Sequence, residues 1–491
     1  MPTPFRRGVR HARRGLFYTC ALVLVLMAIA VAVADRLLPL VQKHPDRIAA
    51  WLIERAGRPV HFDHAEAHWT NRGPVFTLTN LRIGEGKEQL AVDRAELLVA
   101  MYSGLLPDHP FTELRLRGLA LTVERDAAGQ WHFVGLSGPN EDEHHNPLRN
   151  LEGLGELQVA DATLTVRAPN LGIAFTSPRV DVRMRVTDKR LRVGLQVDAT
   201  RGNPILAVVD FDRLDNNGRL WIGGNNIDFA PWSSLLGYGG IDLVGGHGRI
   251  GFWTTLKDRR IVAVQADANL HDLVFRAHVP NALPGDPETP HAGLAGMRMT
   301  GRWEGSAGGW RAEAPLLRLR SKAASAEDVL DGVAMRDAGS TTLVAPRADL
   351  GDALSIAMLS DRVAPKLRDW LMQAAPKLRL GAVRVDRTRN GIVRGKAVLD
   401  DAGWQPVGTI PALQGFAGNL SFDNSAIALQ FRRRPSSILW PPAFGDPMPM
   451  EFSGNLVAWR DGASWTLGTS NLHAQNNDVS LDTRMAMRFD A

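Results

Sequence analysis

From residue 58 onward, apolar and polar side chains alternate with a period of two, and the 3.6-residue period of a helix is rare. A period of two places alternate side chains on opposite faces of an extended chain, so this pattern restricts the body to β-strands with one greasy face and one wet face. The clearest strand candidates are Val75–Ile83, Leu90–Val99, Glu113–Glu124, Gln158–Arg167, Val180–Val186, Leu191–Val197, Ile261–Ala268, Leu316–Leu319, Val383–Arg387 and Ala426–Phe431. Turn pairs punctuate them at Ala128-Gly129, Asn217-Gly218, Asn390-Gly391 and Asp461-Gly462. Trp131, Trp310, Trp404 and Trp465 each read as the start of a strand just after such a glycine. Turns this tight join neighbouring strands, which predicts an antiparallel meander. At 491 residues the chain exceeds what one core usually serves, so two or more units are expected.

A short repeat lies inside the alternation. Leu114-x-Leu116-x-x-Leu119-x-Leu121-x-Val123 recurs 43 residues later as Leu157-x-Val159-x-x-Ala162-x-Leu164-x-Val166. Phe76-x-Leu78-x-x-Leu81-x-Ile83 carries the first part of the same spacing. The extra residue in the middle shifts the alternation by one, which would turn the second half of each apolar set to the wrong face. A β-bulge absorbs such a shift, so bulges are predicted near Arg117-Gly118 and Ala160-Asp161.

Helices are few. Pro45-Asp46-Arg47 opens a short one that Gly57 and Pro59 stop, and Ser360-Asp361 reads as the cap of a second containing Val363, Leu367, Trp370, Leu371 and Ala374, ending before Pro376. Residues 138–149 and 281–291 read as polar loops. The sequence therefore offers many amphipathic strands and little helix to cover them.

Before the body lies Leu16–Ala34, 19 residues without a charge. As a helix it would be about 28 Å long, close to the hydrocarbon thickness of a bilayer. Arg6, Arg7, Arg10, Arg13 and Arg14 precede it directly. The positive-inside rule then keeps residues 1–15 in the cytoplasm and sends the body across. The competing reading is a cleaved signal peptide ending at Ala32-Val33-Ala34. The length of the run and the helix that follows favour a single-pass anchor.

The formal charge of +5 invites a nucleic-acid reading, but it resides in that tail: without its five arginines, basic and acidic residues balance at 52 each. No nucleic-acid partner is expected. Cys20 is the only cysteine, so neither an intrachain disulfide nor a cysteine-based metal site can form. Gly246-His247-Gly248-Arg249-Ile250-Gly251 matches the dinucleotide GxGxxG pattern, yet strand-like Phe252-Trp253-Thr254-Thr255 follows where a helix is needed. His61, His64, Glu66 and His68 form the best metal candidate. On one strand, however, His64, Glu66 and His68 fan apart along a face with His61 on the other, and no metal site is expected. Acidic residues alternate with arginines, as in Asp93-Arg94-Ala95-Glu96, the look of a solvated sheet face. The chain shows no GxSxG, phosphate-loop lysine, HExxH or EF-hand motif. We expect no enzyme and no cofactor.

The basic tail, the single anchor, Ala56-Gly57-Arg58-Pro59-Val60, Trp69-Thr70-Asn71-Arg72-Gly73-Pro74, and Leu114–Phe133 with Trp131-His132-Phe133 together resemble the AsmA-like superfamily, most closely its YhdP-type members. Val363–Leu371 and Trp404-Gln405-Pro406 to Gly415-Phe416-Ala417-Gly418-Asn419-Leu420 are similar to their later region. Such proteins are generally much longer, and this chain stops at Arg484–Ala491 inside an expected strand, so a truncated product is expected. The resemblance implies a mainly β fold: a transmembrane helix, then an elongated, twisted antiparallel β-sheet groove with a few short helices. The expected divisions are a tail (1–15), an anchor (16–34), a juxtamembrane helix (35–57), β regions at 58–200 and 201–360, an amphipathic helix (361–377) and a last β region (378–491). It further implies phospholipid transport between the inner and outer membranes of a bacterial envelope, with the body in the periplasm, and a part in outer-membrane lipid homeostasis. Phospholipid, the inner membrane and outer-membrane or envelope proteins would be the partners. The expected groove lining is Leu78, Leu116, Leu121, Val159, Leu164 and Val166. The alternative is a non-enzymatic assembly or structural factor whose sheets close as sandwiches and bind outer-membrane proteins.

Overall fold

The computed structural model describes residues 49, 50, 53 and 59–489, apart from 85–88, 101–111, 127–128, 135–154, 188, 279–288, 323–326 and 463. The basic tail, the apolar run, most of the juxtamembrane helix, the loop at 138–149 and most of the loop at 281–291 lie outside the described residues. Among the described residues no helix is long and apolar enough to cross a membrane. The chain is mainly β and divides into two compact units, at residues 1–197 and 198–491.

The first unit contains β1 (Val60–His61), β2 (His64–Thr70), β3 (Gly73–Ile83), β4 (Leu90–Val99), β5 (Thr112–Arg117), β6 (Ala120–Arg125), β7 (Trp131–Val134), β8 (Glu156–Ala168), β9 (Ile173–Val186) and β10 (Arg190–Asp198). Both β1 and β2 pair with β3, which pairs with β4 and, through it, with β5. The expected meander breaks at the next step. β8 runs parallel to both β5 and β6, and only then pairs antiparallel with β9. A parallel pair needs a long crossover, and here residues 135–155 separate β7 from β8.

That parallel pairing explains the repeat. Leu114 faces Leu157, Leu116 faces Val159, Leu121 faces Leu164 and Val123 faces Val166, so the two copies lie side by side in perfect register. Both predicted bulges are present. The backbone adopts left-handed φ at Gly118 (66°) and Asp161 (55°), and the β8–β9 register shifts between Val159 and Ala162. Asn80, at the equivalent place in the third copy, shows the same conformation with φ of 54°. Gly, Asn and Asp are the residues that enter this region most readily. The Gly118 N–H donates to the Ala160 carbonyl and the Thr163 N–H to the Leu119 carbonyl, so the neighbouring strands bend together. Because the extra residue is absorbed, Leu78, Leu81, Leu116, Leu119, Val159 and Ala162 all belong to one apolar cluster, with Val60, Leu90, Val92 and Val180.

The second unit contains β11 (Ile205–Asp212), β12 (Asn217–Asp228), β13 (Gly237–Tyr238), β14 (Ile241–Lys257), β15 (Arg260–Ala277), β16 (His291–Ser306), β17 (Gly309–Ser321), β18 (Glu327–Val329), β19 (Val333–Asp337) and β20 (Thr341–Asp349). It continues with β21 (Lys377–Arg387), β22 (Val393–Trp404), β23 (Ala412–Asp423), β24 (Ala426–Phe431), β25 (Pro435–Leu439), β26 (Met448–Asp461), β27 (Ser464–Gln475) and β28 (Ser480–Phe489). Among the described residues all their pairings are antiparallel, mostly between strands consecutive in the chain. The bulge recurs in this unit, with left-handed φ at Asn226, Gly246, Asp272 and Ala382. The glycine-rich stretch 246–251 is a kink inside β14, as its strand-like sequel predicts.

Two helices, α1 (Gly351–Ala357) and α2 (Pro365–Ala374), interrupt the β20–β21 hairpin. The second is the expected helix, but Ser360-Asp361 does not cap it. Pro365 at its first turn sets the start, Ala375 in the left-handed region ends it, and the Ser360 hydroxyl donates to the Gly239 carbonyl instead. α1 was not anticipated, because seven residues are too few to display a helical period. Two turn readings also change. Asn217-Gly218 already belongs to β12, the turn occupying 213–216, and Trp404 ends β22 where a strand start was expected.

Gly118 combines a left-handed φ with direct contact, since a Cβ there would run into the Asp93 carboxyl group. Replacing Gly118 by alanine should destabilise the protein by about 1–3 kcal/mol, read as a lower urea midpoint. An unchanged midpoint would show that the bulge does not organise this sheet.

Candidate functional site

In the second unit the register carries one line of side chains across fifteen strands. It begins Val209, Leu220, Thr254, Val264 and Trp303 on β11, β12, β14, β15 and β16. It continues through Ala312, Met335, Leu343, Val385 and Gly395 on β17, β19, β20, β21 and β22. It ends with Phe422, Ile427, Ala458, Leu467 and Met487 on β23, β24, β26, β27 and β28. Only Thr254 and Gly395 interrupt its apolar character. Directly opposed residues share a face, and at about 4.8 Å per strand the line is roughly 67 Å long.

The adjacent line on the other face is polar. It runs Asp210, Arg219, Thr255, Ala263, Glu304, Arg311 and Arg336, then Thr342, Asp386, Arg394 and Asp423. Arginines there pair with carboxylates two residues along the same strand, as Arg311 does with Glu313 at 2.6 Å and Arg384 with Asp386 at 2.8 Å. Arg94 and Glu96 of the first unit make a similar pair, at 3.8 Å, as the alternation predicted. Exposed pairs of this kind add little stability, but they keep that face wetted.

None of the fifteen side chains is fully buried; most are half-buried, and Ile427 and Met487 are each 44% exposed. The second unit is closed elsewhere, where Leu273 and Leu294 are fully buried and Leu359, beyond α1, packs on Ala277 and Ala292. A further closed patch joins Phe416, Phe431 and Phe452, with ring centroids 5.0–5.9 Å apart. The open line is therefore a particular stretch of the face. The six residues read from the sequence as a lining all lie in the first unit. Val159 is buried there, and Leu78, Leu116, Leu121 and Leu164 pack against the buried cluster, while Val166 is half-buried opposite Val123. Apart from Val159, they share the half-buried state of the fifteen-strand line. That line escaped the sequence reading because most of its strands were not picked out, and because cross-strand register is invisible without pairing.

Ionisable groups serve packing. Glu113 and Glu156 face each other on parallel strands and are both buried. Such a like-charged pair needs cations. Arg72, in the turn before β3, binds Glu113 through both guanidinium nitrogens, and Arg115 lies 3.2 Å away. Burial pushes the Glu156 carboxyl up, but hydrogen bonds from Gln158 and Arg183 and the nearby positive charges outweigh it and hold the group below its ordinary value. In the first turn of α1, burial and then the Asp328 carboxylate raise Asp352. His64, Glu66 and His68 are exposed along one face of β2, and among the described residues no three metal-type side chains are grouped to share an ion.

Because Glu156 is depressed in the folded state, its contribution to stability is present above the unfolded carboxylate range and is lost as pH falls through its folded value. Arg183→Met should therefore flatten the acid limb of a stability–pH curve, below the ordinary carboxylate range. A limb unchanged from the parent would rule out this ion pair as its source.

A family model described as YhdP protein matches residues 3–491. No curated protein and no solved structure matches the chain. A match over almost the whole length, on a chain that is mainly β with few helices, means that this protein belongs to the YhdP family.

Proposed function

We propose that this protein carries phospholipid, with acyl chains lying on the apolar line of the second unit. The observation that carries this reading is the fifteen-strand line itself: continuous, apolar, only half-buried, and backed by a charged face. Covering apolar surface is worth about 25 cal/mol per Å2, so an acyl chain laid along such a line gains substantially by leaving water. A line roughly 67 Å long exceeds the ~30 Å hydrocarbon thickness of a bilayer, so it offers a path along the sheet rather than a pocket for one molecule.

Family membership supports the wider setting. In this reading residues 16–34 anchor the protein in the inner membrane with residues 1–15 in the cytoplasm, the body lies in the periplasm, and the role is lipid exchange between inner and outer membranes. No chemical step is involved. In this reading the first unit supports the anchor-proximal end of the chain, and its Leu78, Leu116, Leu121, Leu164 and Val166, half-buried like the fifteen-strand line, remain an expected lining there.

Neighbouring residues on opposite faces provide the test. A photoreactive benzoylphenylalanine at Met335 or Leu343 of the full chain, mixed with phospholipid vesicles and irradiated, should yield lipid adducts by mass spectrometry. The same group at Arg336 or Thr342 should yield few. Equal labelling of both faces, or protein adducts alone at Met335 and Leu343, would sink the proposal.

A further inference from the structure

Strand interiors disfavour glycine, which adds chain entropy to the unfolded state and packs nothing. The second unit nevertheless places glycines in mid-sheet or near strand ends where the backbone does not require them. Gly251, Gly305 and Gly395 all keep φ outside the left-handed region, so any residue could adopt their conformation. Their common feature is an aromatic ring. The three atoms nearest to a Cβ at Gly305 all belong to the Trp303 indole, at 2.5, 2.9 and 3.3 Å. At Gly395 the three nearest atoms all belong to the Phe422 ring, on the residue directly opposite. At Gly251 they are all from Trp253, at 2.8, 3.1 and 3.5 Å. In each case the ring lies over the glycine, occupying the place of the missing side chain.

The three differ in the face they serve. Trp303 and Phe422 stand in the apolar line, and Trp303 has the small Ala312 as its direct neighbour on β17. Trp253 belongs to the opposite face, in register with Trp221 and Gln265, and is 46% exposed. These two rings are the largest side chains of the line, and a ring standing upright would rise far above its Val, Ala and Leu neighbours. Leu343 lies three strands from either ring, so both rings flank the same middle stretch.

We propose that Gly305 and Gly395 set the clearance over the apolar line, by letting Trp303 and Phe422 lie flat so that an acyl chain can pass across them. The inference rests on the lipid-carrying reading and adds the residues that determine passage. Neither glycine touches the lipid; each acts through its ring, as a positioning residue. A β-branched side chain in either place would lift the ring off the floor and into the path of the chain.

The test uses the full chain and transfer of a fluorescent phosphatidylethanolamine between vesicles of phosphatidylethanolamine and phosphatidylglycerol. Gly305→Val and Gly395→Val should each slow transfer about tenfold, the overpacking being relieved only by rings that stand in the path. They should also reduce lipid capture by a photoreactive group at Leu343. Gly251→Val, which disturbs a ring equally but on the charged face, should leave both readouts at the parent value. Adding Trp303→Ala to Gly305→Val should restore most of the transfer, which separates a raised ring from a damaged fold. Equal losses in all three glycine variants, no loss in any, or no restoration by Trp303→Ala would overturn the inference. If the parent chain captures no lipid at Leu343, the lipid-carrying reading fails instead, a result distinct from capture that is indifferent to the glycines.

Discussion

Everything in this protein depends on cross-strand register. A strand with alternating side chains has no core of its own; it acquires a greasy face only when its neighbours align theirs with it, residue against residue. A slip of one would turn a whole strand inside out. The bulges are where this constraint is most severe and most visibly met. Asn80, Gly118 and Asp161 each insert one residue in left-handed conformation, and the apolar set continues on the same side. Around Asp161 the correction is also held by charge: Arg179 lies 3.4 Å from it and 2.8 Å from Asp181, whose carboxylate accepts the Asp161 N–H.

The polar face follows from the same constraint. Every apolar residue placed on one side commits its neighbours in sequence to the other, so arginines and carboxylates collect there in lines. Most are exposed and contribute little to stability. Where a carboxylate is buried it is bound by arginine, as Asp349 is by Arg347 at 2.6 Å and Arg379 at 3.5 Å, because an unpaired buried charge costs several kcal/mol. This pattern accounts for the arginine partners of the buried carboxylates.

The two units share one architecture of paired amphipathic strands. In the first, in-register repeats align the apolar sets of neighbouring strands, leaving Ala95 and Val159 each 7% exposed and Leu116 and Leu164 half-buried. In the second, a comparable line remains half-open across fifteen strands, while closed packing is confined to other stretches of the unit. Flat aromatic rings over glycines suit such an open line, since they contribute apolar area without height. A surface of that kind is suited to a long flexible apolar ligand.

The alternation was legible in the sequence because period two is a local property; every listed strand candidate lies within a strand, Glu113–Glu124 being interrupted at the predicted bulge. Those bulges, the kink at 246–251 and the scarcity of helices were legible for the same reason. The parallel placement of β8 was not, although the repeat held its signature: side chains 43 residues apart align only if the strands carrying them are neighbours pointing the same way. Nor did the sequence disclose the open line, whose fifteen members come from across nearly 300 residues. Sequence by itself determined that each strand has one greasy face, since neighbouring side chains on an extended backbone must point in opposite directions. Only tertiary structure decided which faces meet and how far they are covered, because pairing and burial depend on contacts that local order does not specify.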